Sequence, residues 1–452
     1  MRLVRTTIKW KFVLFSTAIL IINSAQAQDN SIYSRYGLGD YFPGQNVITR
    51  SMAGAATAYT DGQSINFINP ATYSNLKVVT YDLALTIESK TNRQVNPERT
   101  FKTNYFTPYY FAIGIPLQNV FEKKKWAQNA GFVFGLKPIS KISYSNIERK
   151  RISNIDSLAT LYDGTGGLNQ AFIGFGKKWK NLSVGINTGY LFGRREINTR
   201  LEFLNDSVLY QKSNSGSKTN FGNFFLQAGL QYDVELNKNE ALRFAFNGNL
   251  KYKLNATQDI LRELYGYSST SGDLVRIDSV KDVLNVKGTI QMPASSSFAI
   301  MYKKSVDDRF GNKSDKLLLT AEFETTNWSN YKFYNQTDKL INSSLLKLGA
   351  QWSIDPTSVT SYWSRVALRA GFYTGKDYIN ADGKELKISG LTFGAGLPIR
   401  KFRNYDNQFT LINTAFEIGK RGSNVNNITE NYFKFSVGFC LSDIWFIKRK
   451  YD

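Results

Sequence analysis

Glu322 and Glu324 stand two residues apart and form the chain's clearest carboxylate pair, a grouping that does general acid-base work in glycoside hydrolysis. The same spacing is what the polar face of any β-strand produces, so it assigns no catalysis. Histidine is absent altogether, which removes Ser-His-Asp and Cys-His relays, histidine general bases and HExxH zinc sites. Cys440 is the single cysteine and can form neither an intramolecular disulfide nor a four-cysteine zinc site. Gly394-Ala395-Gly396 lacks the spacing of a phosphate-binding loop. A non-enzyme is expected, with no catalytic residue, cofactor or metal.

The remaining chemistry is charge. Lys plus Arg number 57 against 36 Asp plus Glu, and the balance of +21 by itself would suit nucleic acid. The first residues direct the chain elsewhere. Arg2, Arg5, Lys9 and Lys11 precede an apolar run, Phe12 to Ile22, too short to span a bilayer, and Ala25-Gln26-Ala27 is a small-x-small cleavage site. A signal peptide over residues 1–27 is expected, and no nucleic-acid partner. Basic clusters at 123–125, 149–151, 177–180, 400–403 and 448–450 would meet lipid phosphates or anionic glycolipid, or serve as solvated charges.

The elements that carry these residues read as strands. Beyond residue 22 no apolar run reaches the roughly 18 residues of a membrane helix, and 14% aromatic content argues against disorder. Val79, Tyr81, Leu83, Leu85 and Ile87 alternate with Thr80, Asp82, Ala84, Thr86 and Glu88. Leu242, Phe244, Phe246, Gly248, Leu250, Tyr252 and Leu254 alternate with Arg243, Ala245, Asn247, Asn249, Lys251 and Lys253; Phe433, Phe435, Val437 and Phe439 repeat the pattern. A soluble sandwich also alternates, but membrane-crossing strands run to about 9–11 residues against a usual mode of about 5–6.

The expected fold is all-β: a transmembrane antiparallel β-barrel of about fourteen strands. The strands start near Val79, Thr103, Gly131, Leu168, Leu182, Asn220, Leu242, Ser295, Lys316, Ser344, Arg365, Lys387, Phe409 and Tyr432. Residues 91–101, 149–167, 206–219 and 258–293 are expected to be long outer loops, and 178–181 and 237–240 tight turns; 118–126 and 398–407 break that asymmetry. Asp82, Glu88, Arg243, Lys251, Lys253, Glu322, Glu324, Arg365, Arg369 and Lys434 should face the lumen, because Arg or Lys at the lipid midplane costs about 2–4 kcal/mol. There they would pair among themselves or guide an anionic ligand. Tyr109, Tyr110, Trp352, Trp363 and Trp445 suit either aromatic girdles or ordinary packing.

Residues 30–75 differ from the rest, being rich in Gly, Ala, Ser and Asn. The small-residue run 51–58 is followed by the turn signal Asp61-Gly62 and then by Asn69-Pro70-Ala71, directly ahead of the first long strand. This stretch resembles the N-terminal hatch of the FadL/TodX family of outer-membrane transporters for hydrophobic compounds, whose Asn-Pro-Ala motif these three residues match. Ser31 to Asp40 and Trp445 to Lys450 resemble the two ends of FadL-like proteins from the Bacteroidota. The resemblance implies a hatch over 28–77, a barrel over 78–452, and passive uptake of an apolar small molecule such as a long-chain fatty acid. It equally admits a barrel with protein partners, a non-transporting subunit of an outer-membrane secretion or assembly complex. Asn69-Pro70-Ala71 would serve either in gating or as a plain turn joining the two parts.

Overall fold

The computed structural model describes residues 31–42, 44–95, 98–121, 124–153, 156–204, 211–268, 270, 273–307, 313–358, 360–381, 383–400, 409–422 and 428–443. The expected signal peptide, Trp445, Lys123 and the clusters at 401–403 and 448–450 lie outside them. Fourteen strands form a closed antiparallel barrel. They are β1 (Val79–Gln94), β2 (Arg99–Pro116), β3 (Ala130–Ile152), β4 (Asp156–Trp179), β5 (Leu182–Phe203), β6 (Lys212–Asn237), β7 (Glu240–Asn249, resuming at Tyr252–Tyr267), β8 (Leu274–Met292, resuming at Ser295–Asp307), β9 (Lys313–Thr326), β10 (Ser343–Trp352), β11 (Ala367–Ala381), β12 (Lys384–Arg400), β13 (Phe409–Arg421) and β14 (Ile428–Asp443). Closure is made by β14 on β1, from Ile428↔Gln94 to Asp443↔Val79. Each expected strand start falls in its own strand, except that Arg365 precedes Ala367 by two residues and lies in a short 3-10 turn.

Alternation sorts the two faces. On β5 the side chains of Leu182, Ile186, Tyr190 and Phe192 are exposed, while Ser183, Asn187 and Leu191 are buried. Phe244 on β7, Phe298 on β8, Phe323 on β9, Phe393 on β12 and Phe433 on β14 continue an outward apolar belt around the barrel. Such a belt, about ten residues along each strand, matches the apolar band of outer-membrane barrels. Asp82, Glu88, Arg243, Glu322 and Arg369 are buried on the inner face. Tyr109 and Tyr110 are buried too and belong to the interior core, so they form no girdle; Trp352 and Trp363 are exposed.

The expected long loops are mostly strand. β3 and β4 run through 149–167 with only a short link between them, and the hairpin of β7 and β8 occupies 258–293. The turns at 178–181 and 237–240 are tight, with Lys180 at φ 51°. β6 has 26 residues and β10 only 10, so β3 to β8 make a tall wall rising past the belt. Past the belt the outward face changes character: Arg194 pairs with Glu196 at 3.5 Å and Arg200 with Asp163 at 3.7 Å. Polar residues on the outward face, as in Lys212 to Asn220, erase the apolar alternation by which a strand is recognised.

β7 also changes phase. Below its break at Leu250 and Lys251, Phe244 points outward; above it, Leu254 and Ala256 are buried in the interior core. Lys251 and Lys253 are consequently exposed rather than lumen-facing.

Candidate functional site

Residues 31–76 thread the barrel interior, with short helical turns at Ile32–Arg35, Val47–Arg50 and Pro70–Asn75. Asn69 is fully buried and caps the last of these: its Oδ1 accepts from the Ala71 amide at 3.0 Å. Its Nδ2 donates to the Thr57 carbonyl at 2.7 Å and lies 3.3 and 3.4 Å from the carbonyls of Leu230 and Phe246, which belong to β6 and β7. Pro70 occupies the first helical position, where its missing N–H costs nothing.

The turn rests on a row of glycines. Gly131, Gly176, Gly185 and Gly229 stand opposite one another across β3, β4, β5 and β6. A Cβ on any of them would collide with Tyr73, Pro70, Ala71 or Asn69. On the far wall Gly349 and Gly371 face each other across β10 and β11, and a Cβ there would strike Met52 or Ala53. The N-terminal segment is thus seated backbone against backbone on two walls.

Ion pairs hold it in between. Arg50 donates to Glu417 of β13 at 3.1 Å. Asp40 accepts from Arg421 at 2.9 Å and lies 3.3 Å from Lys90. Burial pushes the Asp40 carboxyl up, but Lys90 and Arg421 outweigh it and hold it well below the usual carboxylate range. The Thr57 amide donates to Glu322 at 2.7 Å, and Lys347 bridges Glu322 and Glu324. The carboxylate pair read from the sequence is therefore an ion-paired support. Arg243 reaches the Ala58 carbonyl, Arg369 pairs with Gln351 and Asn413, and Lys434 lies 3.6 Å from Glu88 and 3.8 Å from Glu417.

The wall beside this segment is incomplete. The β2–β3 ladder has six residue pairs, Phe111↔Leu136 to Pro116↔Gly131, whereas the next shortest, β10–β11, has nine. Pro108 and Pro138 stand where pairing stops, and neither can donate to a ladder. Past that point the edge of β3 is covered by the N-terminal segment instead: Asp40 and Tyr41 pair with Lys141 and Ser140, and the Phe42 amide donates to the Ile139 carbonyl at 2.8 Å. A cavity of about 420 Å³ adjoins this seam, lined by Phe42, Ile139 and Tyr105 near it and by Met292, Trp328 and Leu345 farther in.

The family model for BamG matches residues 7–452. The chain belongs to the BamG family. Among solved structures, this BamG-family barrel is similar to the toluene transporter TbuX of Ralstonia pickettii, at 13% identity over 88% of this chain and 98% of that one, TM-score 0.53. It is similar to the Pseudomonas putida toluene transporter TodX at 14% identity over 89% and 99%, TM-score 0.51. The monoaromatic hydrocarbon channel CymD gives 12% identity over 89% and 98%, TM-score 0.50. No curated protein matches by sequence. The BamG-family chain therefore has the FadL-like fold anticipated from Asn69-Pro70-Ala71 and the strand count. Sequence reasoning missed the glycine rows, the seam and the roles of Asp40 and Arg50. The Gly content of β3 to β6 was visible, but its cross-strand alignment depends on register.

Proposed function

We propose that this chain is an outer-membrane barrel that takes up hydrophobic compounds passively, long-chain fatty acids among them, and releases them sideways through the β2–β3 seam. The observation that carries the reading is the six-pair ladder beside an aromatic-lined cavity. In this reading residues 28–77 act as the hatch, with Asn69, Pro70 and Ala71 as its anchor on the glycine row. The apolar belt supports a lipid setting for the barrel, in which the exposed basic residues 149–151 would meet anionic glycolipid. The solved barrels of the same fold are described as toluene transporters and a hydrocarbon channel, which supports the substrate class. The test is uptake of labelled palmitate and toluene by a strain lacking the gene: a severalfold fall is expected, and uptake at the parental rate sinks the proposal.

A second reading, a non-transporting subunit of a larger outer-membrane complex for secretion or assembly, is favoured by the tall wall. Its β7–β8 hairpin carries Val280 and Leu284, 77% and 65% exposed, well past the apolar belt. Extraction in mild detergent separates the two: a fixed stoichiometric protein partner supports the subunit, whereas a lone barrel carrying an apolar molecule supports the conduit.

A further inference from the structure

The cavity is lined by one continuous ion network that is short of a cation. Lys90 lies within 3.6 Å of Asp40, Glu88 and Glu430; Arg421 contacts Asp40 and Asp377; Lys434 reaches Glu88 and Glu417; Arg50 reaches Glu417. Five carboxylates are thereby joined to four cations among the described residues, and all nine side chains line the cavity. Of the other cations lining the cavity, Lys376 pairs with Glu385 at 2.9 Å, Lys347 bridges Glu322 and Glu324, and Lys141 lies 5.2 Å from the Tyr105 ring centroid.

Two acceptors in this network lack a hydrogen-bond partner among the described residues: Glu88 Oε1, which still has Lys90 and Lys434 at 3.5 and 3.6 Å, and Glu430 Oε2. Glu430 is 2% exposed, its Oε1 is 3.6 Å from Lys90, and no described residue hydrogen-bonds its Oε2. A buried carboxylate oxygen left this way costs the desolvation of the group, so a donor that meets it when the Glu430 side chain turns to the cavity it lines is favoured. A sixth carboxylate arriving there would add to the one negative charge that the four cations leave uncompensated, and would be repelled. The tyrosines around the network already hold cations, with Lys434 4.5 Å over Tyr432 and Arg421 5.4 Å over Tyr378. The apolar part of a guest has Trp328, Met292 and Leu345 in the same cavity.

We infer that the cavity binds an organic ammonium compound, a protonated amine on an apolar body, with the amine at Glu430 Oε2. This rests on the conduit reading and adds a ligand class to it: hydrocarbons and fatty acids find no charge partner at Glu430, whereas amines do. The experiment is calorimetric titration of the full chain in a nonionic detergent with three probes on one ring: 2-phenylethylammonium, phenylacetate and toluene. The ammonium should bind at least tenfold more tightly than either of the others. Glu430→Gln should abolish that preference while leaving toluene affinity unchanged. Lys434→Gln, which deepens the cation deficit, should raise ammonium affinity, and it decides the matter if the first variant loses the heat-modifiable gel mobility of a folded barrel. Toluene or phenylacetate binding as tightly as the ammonium overturns the inference and leaves the conduit standing. Silence from all three probes overturns the inference and removes this cavity from the conduit as well.

Discussion

The Pro70 carbonyl lies over Gly185 so closely that a Cβ on the glycine would collide with it and with the Ala71 amide nitrogen. Gly185 is the third member of a row that runs Gly131, Gly176, Gly185, Gly229 across four strands. The consequence is that a side chain at this point of the wall displaces the N-terminal segment without touching the barrel's outer face. Gly185→Val should cost about 1–3 kcal/mol through overpacking. It should also expose residues 31–76 to protease and raise single-channel conductance in a planar bilayer. Conductance and proteolysis unchanged from the parent would show that the seat is not needed to hold the segment.

Asn69 uses both ends of its amide in a buried setting, one for the cap and one for carbonyls of the segment and wall. Asn69→Ala is expected to lower stability by about 1–3 kcal/mol, the cost of leaving buried partners unsatisfied. The check is the thermal midpoint of the purified barrel, with Asn75→Ala as a control on the same helical turn. If the two variants melted together, the anchoring role of Asn69 would be lost.

Arg50 and Glu417 join the segment to β13 with side chains 3% and 8% exposed. Removing one charge leaves the other buried and partly unpaired, so Arg50→Ala should cost about 3–5 kcal/mol. The paired change Arg50→Met with Glu417→Leu should recover most of that. A double variant no more stable than the single one would count against the pair as the source of the cost.

The seam predicts an effect of backbone donors alone. Replacing Pro108 and Pro138 by Val supplies two N–H groups where the β2–β3 ladder stops, and lengthening that ladder should slow uptake of an apolar solute severalfold. Deleting residues 30–75 should act in the opposite sense by raising conductance. Equal uptake by the proline variant and the parent would place the exit elsewhere.

Much of the barrel was legible because one physical constraint repeats along the chain. Wherever a strand crosses the apolar belt, one face must be apolar and the other polar, so Leu182 to Phe192 and Phe433 to Phe439 declare themselves at a period of two. Past the belt that constraint ends, and the strands of the tall wall, such as Lys212 to Asn220, read as loops. The inner site was less legible still. Asn69-Pro70-Ala71 and the charges of the polar faces could be named, but not their partners, since Asp40 and Arg421 are 381 residues apart.

The sequence by itself determined the number of strands, their order and the inward side of each within the belt, because alternation and tight turns are local properties. Only the tertiary structure decided the change of phase at Leu250 and Lys251, which turns Leu254 inward and Lys253 out although the alternation of residue types runs on unbroken. It also decided where pairing fails between β2 and β3, and that four glycines from four strands share one row. Register, closure and a segment folded back inside the barrel set those features, and each depends on which residues meet across the wall.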